Sequence, residues 1–141
     1  MRRETIAKVL VFNQNYDVLV LQIGTHKLYP EKSHTLDLPG GIVESSEPER
    51  DGLIREVIEE TGLRLQTNAI SLLHASTYQA SQKSVTKLLY AAYLEDSPSI
   101  TLSWEHEAYR WIDIEQLLGE PTFTTYREAV MYVRDSFLKE E

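Results

Sequence analysis

Residues 48–61 constrain the fold of this chain more than any other part of its sequence. At 100° per residue, the apolar side chains of this segment spread over one side of a helix, which predicts an amphipathic helix. Ser46 and Glu49 stand in capping-box spacing at its start, and Gly62 follows as a stop signal. The other side of the helix carries three glutamates on one face: Glu56, Glu59 and Glu60.

This acidic face is costly for a helix. Each like-charge pair at spacing i, i+3 or i, i+4 costs roughly 0.2–0.5 kcal/mol. Glu59 and Glu60 also lie near the negative end of the helix dipole, which costs each of them about 0.3–1 kcal/mol more. A divalent cation converts this repulsion into shared coordination, because carboxylate oxygens are hard ligands suited to magnesium, calcium or manganese. The face indicates a metal site, although glutamates on a helix taken alone are more often simply solvated.

Two neighbours of the acidic face favour the metal site. The turn Pro39-Gly40-Gly41 directly precedes the acidic segment, and its permissive backbone lets a carbonyl reach the same ion. Arg55 lies four residues before Glu59 at the border of the face, where it can bridge to a carboxylate and hold its rotamer. We therefore expect Arg55 to support the ligands rather than to bind the metal.

The rest of the sequence predicts strands and helices that interleave without strict βαβ alternation. This order favours an α/β (α+β) fold in which a mixed sheet lies between helices. β-branched and apolar runs between turn residues predict strands at residues 6–12, 18–21, 35–38, 70–78, 84–94, 100–102 and 109–112. Helical patterns predict further helices at residues 114–118 and 125–138.

Composition excludes several classes of protein. The 141 residues are expected to form a single domain, residues 1–141. Fourteen Lys and Arg against twenty-two Asp and Glu give a net charge of −8, so we expect no nucleic-acid partner. The absence of cysteine excludes disulfides, thiolate metal sites and a cysteine nucleophile. The N-terminal segment is too short and too polar for a signal peptide or membrane span, which predicts a cytoplasmic protein with no membrane partner.

Residues 41–63 resemble the Nudix box of the Nudix hydrolases, the family of the MutT-like proteins. The box reads Gly41, five residues, Glu47, seven residues and then Arg55-Glu56-Val57-Ile58-Glu59-Glu60-Thr61-Gly62-Leu63. Every fixed position of the box matches. The resemblance implies an α/β/α sandwich and the hydrolysis of a nucleoside diphosphate linked to another moiety, with Mg²⁺ or Mn²⁺ as cofactor.

The resemblance also implies a role for each residue of the site. The residues that would hold the metal ions are Glu56, Glu59, Glu60 and, through its carbonyl, Gly40. Glu47 and Arg55 would brace the loop against the helix. Substitution at phosphorus requires charge neutralisation and an activated water, and clustered divalent ions supply both.

The identity of the general base that accepts the proton of this water is left undecided, because in the family this base comes from the box or from a glutamate on a later loop. Glu105 and Glu107 are the candidates on the loop before Trp111, and Glu105 is slightly preferred. An ordinary exposed acidic loop accounts for both glutamates equally well. His106 is expected to be a loop residue rather than a base.

Subfamily signatures disfavour more substrates than they indicate. No proline occurs between Leu63 and Ser97, which disfavours the ADP-ribose type, and the patterns of the coenzyme A and NADH types are missing. Tyr78 lies fifteen residues after Leu63, close to the place where dinucleoside polyphosphate hydrolases carry a tyrosine. A nucleoside triphosphate or related small nucleotide is therefore the preferred partner, cleaved to a nucleoside monophosphate and a phosphorylated remainder. The alternatives are a dinucleoside polyphosphate and a catalytically idle Nudix module that binds a nucleotide for regulation.

Several features bear on recognition of this substrate. Tyr78, Tyr90 and Trp104 are candidates to stack on a base, although each is more often a core residue. Leu36 stands where many family members carry a tryptophan. Gly52 replaces the usual alanine of the helix, at a cost of about 1 kcal/mol unless close packing requires it. Many family members are dimers, and the apolar residues 88–93 are candidates for the interface of a homodimer.

Overall fold

The computed structural model describes residues 2–138. In this range, seven strands form one mixed sheet. They are β1 (Arg2–Phe12), β2 (Val18–Ile23), β3 (Leu36–Asp37), β4 (Gly40–Val43), β5 (Ile70–Ala80), β6 (Lys83–Tyr93) and β7 (His106–Ile112). The α-helices are α1 (Glu49–Thr61), α2 (Ile114–Leu118) and α3 (Arg127–Val133). No helix of residues 2–138 is long and apolar enough to cross a membrane.

β1 is the central strand of the sheet. It pairs in parallel with β6 along its whole length, from Arg2 opposite Lys83 to Phe12 opposite Tyr93. On its other edge, β1 pairs first with antiparallel β4 and, at Phe12, with β2. β2 extends the sheet to β3 and β7, and β5 lies outside β6. β1 therefore changes its partner on one edge, and β4 enters the sheet beside the first half of β1.

The sheet separates two apolar clusters. Val9 of β1 belongs to a cluster that packs against Leu53 and Val57 of α1. Leu10, the next residue, belongs to the cluster on the opposite face, which includes Val130 of α3. This alternation follows from the two-residue period of a strand. The arrangement of α1 on one face and α2 and α3 on the other confirms the predicted α/β/α sandwich with a mixed sheet.

Only the C-terminal end of α1 agrees with the prediction from the sequence. Gly62 adopts the left-handed conformation at φ +78° and ends the helix after Thr61, as predicted. At the start, Pro48 is the N-cap, and no side chain accepts a hydrogen bond there. The capping box predicted from Ser46 and Glu49 is therefore wrong.

Residues 40–43 and 100–102 differ from the structure predicted for them. Residues 40–43 form a short strand, β4, where the sequence indicated only a turn. Residues 100–102 form no strand, because this segment docks on the C-terminal end of α1 instead. The amides of Thr101 and Ser103 donate to the last helical carbonyls, those of Thr61 and Glu60, at 3.0 and 3.3 Å. This docking brings the following loop, residues 103–105, to the same end of the sheet as the acidic helix.

Residues 88–93, considered above for a homodimer interface, lie within β6 and belong mostly to the core. Leu88 to Ala92 are buried between the two helical layers, and Tyr93 alone among the six is exposed. The apolar character of this segment is explained by β6 lying between β1 and β5. The apolar character of residues 88–93 therefore gives no reason to place a dimer interface there.

Candidate active site

The backbone of Gly40 and Gly41 lies between β1 and α1 with no room for side chains. Gly40 has a φ of +127°, and a Cβ there would lie 2.1 Å from the carbonyl oxygen of Ala7. A Cβ on Gly41 would lie 2.8 Å from a carboxylate oxygen of Glu56. A side chain at position 40 would therefore meet backbone, and one at position 41 would displace the end of the Glu56 side chain. This close approach brings the backbone of β4 into contact with the acidic side of α1.

Glu60 is buried against this backbone, with only 7% of its surface exposed. Its Oε1 accepts a hydrogen bond from the amide of Gly40 at 2.8 Å. Burial raises the pKa of Glu60 to about 8, although the Lys8 ammonium and the Gly40 amide act in the opposite direction. A carboxylate in such surroundings is costly for the fold unless a cation joins it.

Arg55 connects the remaining carboxylates of the box. Its Nη2 donates to Glu47 Oε1 at 2.7 Å, and its Nη1 donates to Glu56 Oε1 at 3.1 Å. The same Nη1 lies 3.3 Å from Oε2 of Glu59. These contacts, led by the hydrogen bond to Glu47, raise the pKa of Arg55 above its ordinary value. Arg55 thus joins Glu47, on the loop before α1, to Glu56 and Glu59 of the acidic face.

Gly52 is explained by the same loop. A Cβ at Gly52 would lie 2.7 Å from Glu47 Oε1 and 3.0 Å from Cγ1 of Val43. The absence of a side chain lets Glu47 cross the helix and reach Arg55. Close packing between the loop and α1 therefore offsets the cost of placing a glycine within the helix.

If the carboxylates beside Arg55 hold a metal, Arg55→Lys is expected to lower kcat/KM by about 10–100-fold, the usual effect of losing a partner that orients metal ligands. A lysine keeps the charge, but one ammonium cannot hold Glu47, Glu56 and Glu59 with the geometry of a guanidinium. Steady-state kinetics at saturating Mg²⁺ will measure the loss, and circular dichroism will check the fold. Full activity in the lysine variant would show that charge alone is required.

Lys8 of β1 lies beneath the Gly40 turn and is buried. Its Nζ donates to Asp37 Oδ2 at 2.9 Å and to the Gly40 carbonyl at 3.0 Å. Burial lowers the pKa of Lys8, but Asp37, Glu60 and Glu56 together outweigh burial, and the pKa stands above its ordinary value. No role is predicted for Lys8 from the sequence. The available signal was a single charge within the otherwise apolar run of residues 6–12.

An open cleft of about 820 Å³ adjoins the acidic face. Carboxylates and backbone of the box form one wall. The loop between β2 and β3 brings Lys27 and Lys32 to the cleft, and Lys8 lines it as well. Trp104 also lines the cleft and is 92% exposed. A protein of strongly negative net charge thus places three lysines and an exposed indole next to Glu56 and the buried Glu60.

The two loop glutamates occupy different surroundings. Glu105 lines the cleft together with Glu56 and Glu60. Glu107 instead accepts a hydrogen bond from Gln22 Nε2 at 2.9 Å, and its Oε2 lies 2.7 Å from Nδ1 of His34. Glu105 is therefore better placed than Glu107 to act in the cleft.

His106 and the aromatic candidates also differ in their position relative to the cleft. His106 lines the cleft but is buried, and burial lowers its pKa. Tyr90 is a core residue beneath α1, in contact with the guanidinium of Arg50. Tyr78 is exposed on β5 but does not line the cleft. Of the three aromatic residues considered for stacking, only Trp104 lies at the cleft.

The donor set suits a hard divalent cation. Glu56 packs on Gly41, and Glu60 binds the Gly40 amide, so two carboxylates converge on one stretch of backbone. Within residues 2–138, no three Asp, Glu or His side chains are grouped tightly enough to hold a metal as they stand. Glu59 is turned towards Arg55, and it must rotate to join the other two. All donors are oxygen atoms, the preferred ligands of Mg²⁺ and Mn²⁺.

Comparison with known proteins agrees with this geometry. The family model of the NUDIX domain matches residues 1–133. An asymmetrical bis(5'-nucleosyl)-tetraphosphatase from Mus musculus is 32% identical over 120 residues, which cover 82% of this chain and 75% of that protein. The solved structure of a MutT protein from Methanosarcina mazei Go1 matches with a TM-score of 0.81 at 24% identity, covering 99% of this chain and 97% of that one. An Ap4A hydrolase of C. elegans, solved as a binary complex, matches with a TM-score of 0.66 at 20% identity, covering 96% and 97%.

The solved structures are similar in fold, and the family match spans the strands, the acidic helix and the cleft described above. The matched segment includes Gly40, Gly41 and the carboxylates that converge on them. This chain therefore belongs to the Nudix family, whose members are pyrophosphohydrolases that act on nucleoside diphosphate derivatives.

Proposed function

We propose that this chain is a metal-dependent pyrophosphohydrolase of polyphosphorylated nucleotides. The observation that carries the proposal is the convergence of Glu56 and Glu60 on the backbone of Gly40 and Gly41, beside a cleft lined by lysines. Buried carboxylates suit the binding of a cation, and lysines suit the binding of phosphate oxygens. The combination matches the needs of phosphoanhydride hydrolysis better than those of a scaffold.

In this proposal the metal ions, Mg²⁺ or Mn²⁺, are held by a set of four residues: Glu56, Glu59, Glu60 and the carbonyl of Gly40. When bound, such ions neutralise phosphate oxygens and lower the pKa of a water molecule. Arg55 and Glu47 orient the carboxylates, and Glu105 accepts the proton of the attacking water. The water oxygen forms a bond to phosphorus, the bridging P–O bond breaks, and a nucleoside monophosphate and a phosphorylated remainder leave.

A dinucleoside tetraphosphate is the first candidate substrate. The mouse relative is named as an asymmetrical tetraphosphatase, and its match covers most of both chains. The cleft suits a polyanion, since Lys27 and Lys32 of the loop between β2 and β3 line it together. Nucleoside triphosphates are the second candidate, because they present the same phosphoanhydride next to the same kind of base.

Product analysis on a panel of nucleotides tests this proposal. The panel contains nucleoside triphosphates, nucleotide sugars and dinucleoside tetraphosphates, each with Mg²⁺, with Mn²⁺ and with a chelator. The expected result is metal-dependent release of a nucleoside monophosphate, with a nucleoside triphosphate as the second product from a dinucleoside tetraphosphate. A folded, metal-binding protein that turns over none of these compounds would instead support the idle module, which binds a nucleotide without hydrolysis.

Trp104→Ala is expected to raise KM by about 10–100-fold with little change in kcat, since stacking on an aromatic ring contributes about 1–3 kcal/mol per base. Trp104 is almost fully exposed, so its removal should leave the melting temperature unchanged. Tyr16→Ala is the matched control, because Tyr16 is an exposed aromatic residue that does not line the cleft. An unchanged KM in the Trp104 variant would remove the indole from substrate binding.

A further inference from the structure

We infer that Lys8 is a positioning residue that occupies the Gly40 carbonyl in the metal-free protein and thereby sets the affinity of the site for divalent cations. This inference rests on the proposed function, in which the same carbonyl is a metal ligand. Its basis is that the Lys8 ammonium binds the carbonyl of Gly40, the residue whose amide donates to Glu60 of the acidic helix.

The geometry makes Lys8 a resident cation of the site. Its Nζ donates to the Gly40 carbonyl at 3.0 Å, while the amide of the same residue donates to Glu60 at 2.8 Å. Asp37 fixes the ammonium from the other side at 2.9 Å. Lys8 and Asp37 both line the cleft together with Glu56 and Glu60, so the ammonium lies next to the carboxylates that the metal would join.

Two effects of this ammonium oppose metal binding. The first is competition, because a carbonyl oxygen that already accepts a hydrogen bond from one cation is a poorer ligand for a second cation. The second is repulsion between the ammonium and a divalent ion a few ångströms away, which changes Kd by more than about tenfold even at an effective dielectric constant of about 20. Lys8 also compensates the charges of Glu56 and Glu60 before a metal arrives. The metal-free site is thus stabilised at the expense of metal affinity.

Lys8→Met tests the inference, because methionine keeps an unbranched side chain in an apolar strand and removes the charge. The affinity of the metal-free protein for Mg²⁺ and Mn²⁺ is measured by isothermal titration calorimetry without substrate. We expect Kd to fall about tenfold or more in the variant, and added metal to raise its melting temperature further than that of the wild type. Lys83→Met is the matched control, since Lys83 pairs with Glu4 rather than with any residue of the site. Its Kd should equal that of the wild type.

The double variant Lys8→Met/Asp37→Asn removes both members of the buried ion pair, so it leaves no unpaired carboxylate at position 37. Tighter binding in the double variant supports a direct effect of Lys8 on the Gly40 carbonyl. A return to the wild-type Kd would assign the effect to the freed Asp37 carboxylate and overturn the inference. An unchanged Kd in both variants would overturn it as well. Absence of metal binding in the wild type would instead refute the proposed function.

Discussion

Glu60→Gln is expected to abolish hydrolysis and at the same time to stabilise the metal-free protein. The loss of a group that merely orients a ligand costs about 10–100-fold, so loss of the buried carboxylate itself should reduce kcat by at least about 100-fold. Glutamine keeps the shape of the side chain, and its Oε1 can still accept the hydrogen bond from the Gly40 amide. The variant therefore removes a buried charge without removing its packing.

The gain in stability has a defined pH dependence. Burial raises the pKa of Glu60 from 4.5 to about 8, so the folded protein binds this proton more tightly than the unfolded chain does. The contribution of Glu60 to the stability of the wild type is therefore fully present below pH 4.5 and is lost as the pH rises through about 8. Glutamine does not titrate. The melting temperature of the variant should exceed that of the wild type by a margin that grows from pH 5 to pH 8.

Thermal unfolding in the presence of a chelator measures this margin. Glu59→Gln is the control, because the Glu59 side chain is more than half exposed and pairs with Arg55 on the surface. It should give no comparable gain in stability at any pH. A Glu60 variant that is less stable than the wild type at pH 8 would contradict the account of Glu60 as a carboxylate whose burial costs more than Lys8 and the Gly40 amide return.

The sequence was sufficient for those parts of the fold that depend on local pattern. The apolar stripe of α1, its end at Gly62 and the apolar run of β1 each reflect a short segment on its own. The full extent of β1 depends on its parallel pairing with β6, a partner far away in the chain. β4 depends on β1 in the same way, so Gly40 and Gly41 resemble a turn until their neighbour is known.

The site was predictable in its residue types and less so in its geometry. Glu56, Glu59 and Glu60 form one face at helical spacing, yet the structure gives them three environments: against glycine backbone, exposed beside Arg55, and buried. The difference arises because β4 covers only one edge of this face. The role of Lys8 could not be predicted from the sequence either. Its contact with Gly40 joins β1 to β4, two strands that are far apart in the chain.

Gly40→Ala and Gly41→Ala are expected to have different effects: the first should lower stability, and the second should lower activity. A Cβ at position 40 would meet backbone, the Ala7 carbonyl oxygen at 2.1 Å and the Lys8 Cα at 2.8 Å, and the φ of +127° is unfavourable for alanine. Backbone atoms within a paired strand cannot move aside without breaking the sheet. Gly40→Ala should therefore lower the melting temperature by about 10 °C or more, the scale of a loss of several kcal/mol in a domain of this size.

A Cβ at position 41 meets a different kind of neighbour, the carboxylate of Glu56 at the end of a flexible side chain. Gly41→Ala should therefore fold with little loss of stability, because Glu56 can rotate away. The same rotation removes Glu56 from the backbone on which the carboxylates converge, and kcat/KM should fall by about 10–100-fold. Weaker binding of Mg²⁺ in calorimetry should accompany this loss.

Gly119→Ala provides the control for both variants, since a Cβ there would make contacts of 3.4 Å and longer, far from the site. It should match the wild type in melting temperature and in activity. If Gly41→Ala retained full activity and metal affinity, the position of Glu56 against Gly41 would have no part in the chemistry. Because one alanine meets backbone and the next meets a carboxylate, the fold and the metal site depend on adjacent glycines for different reasons.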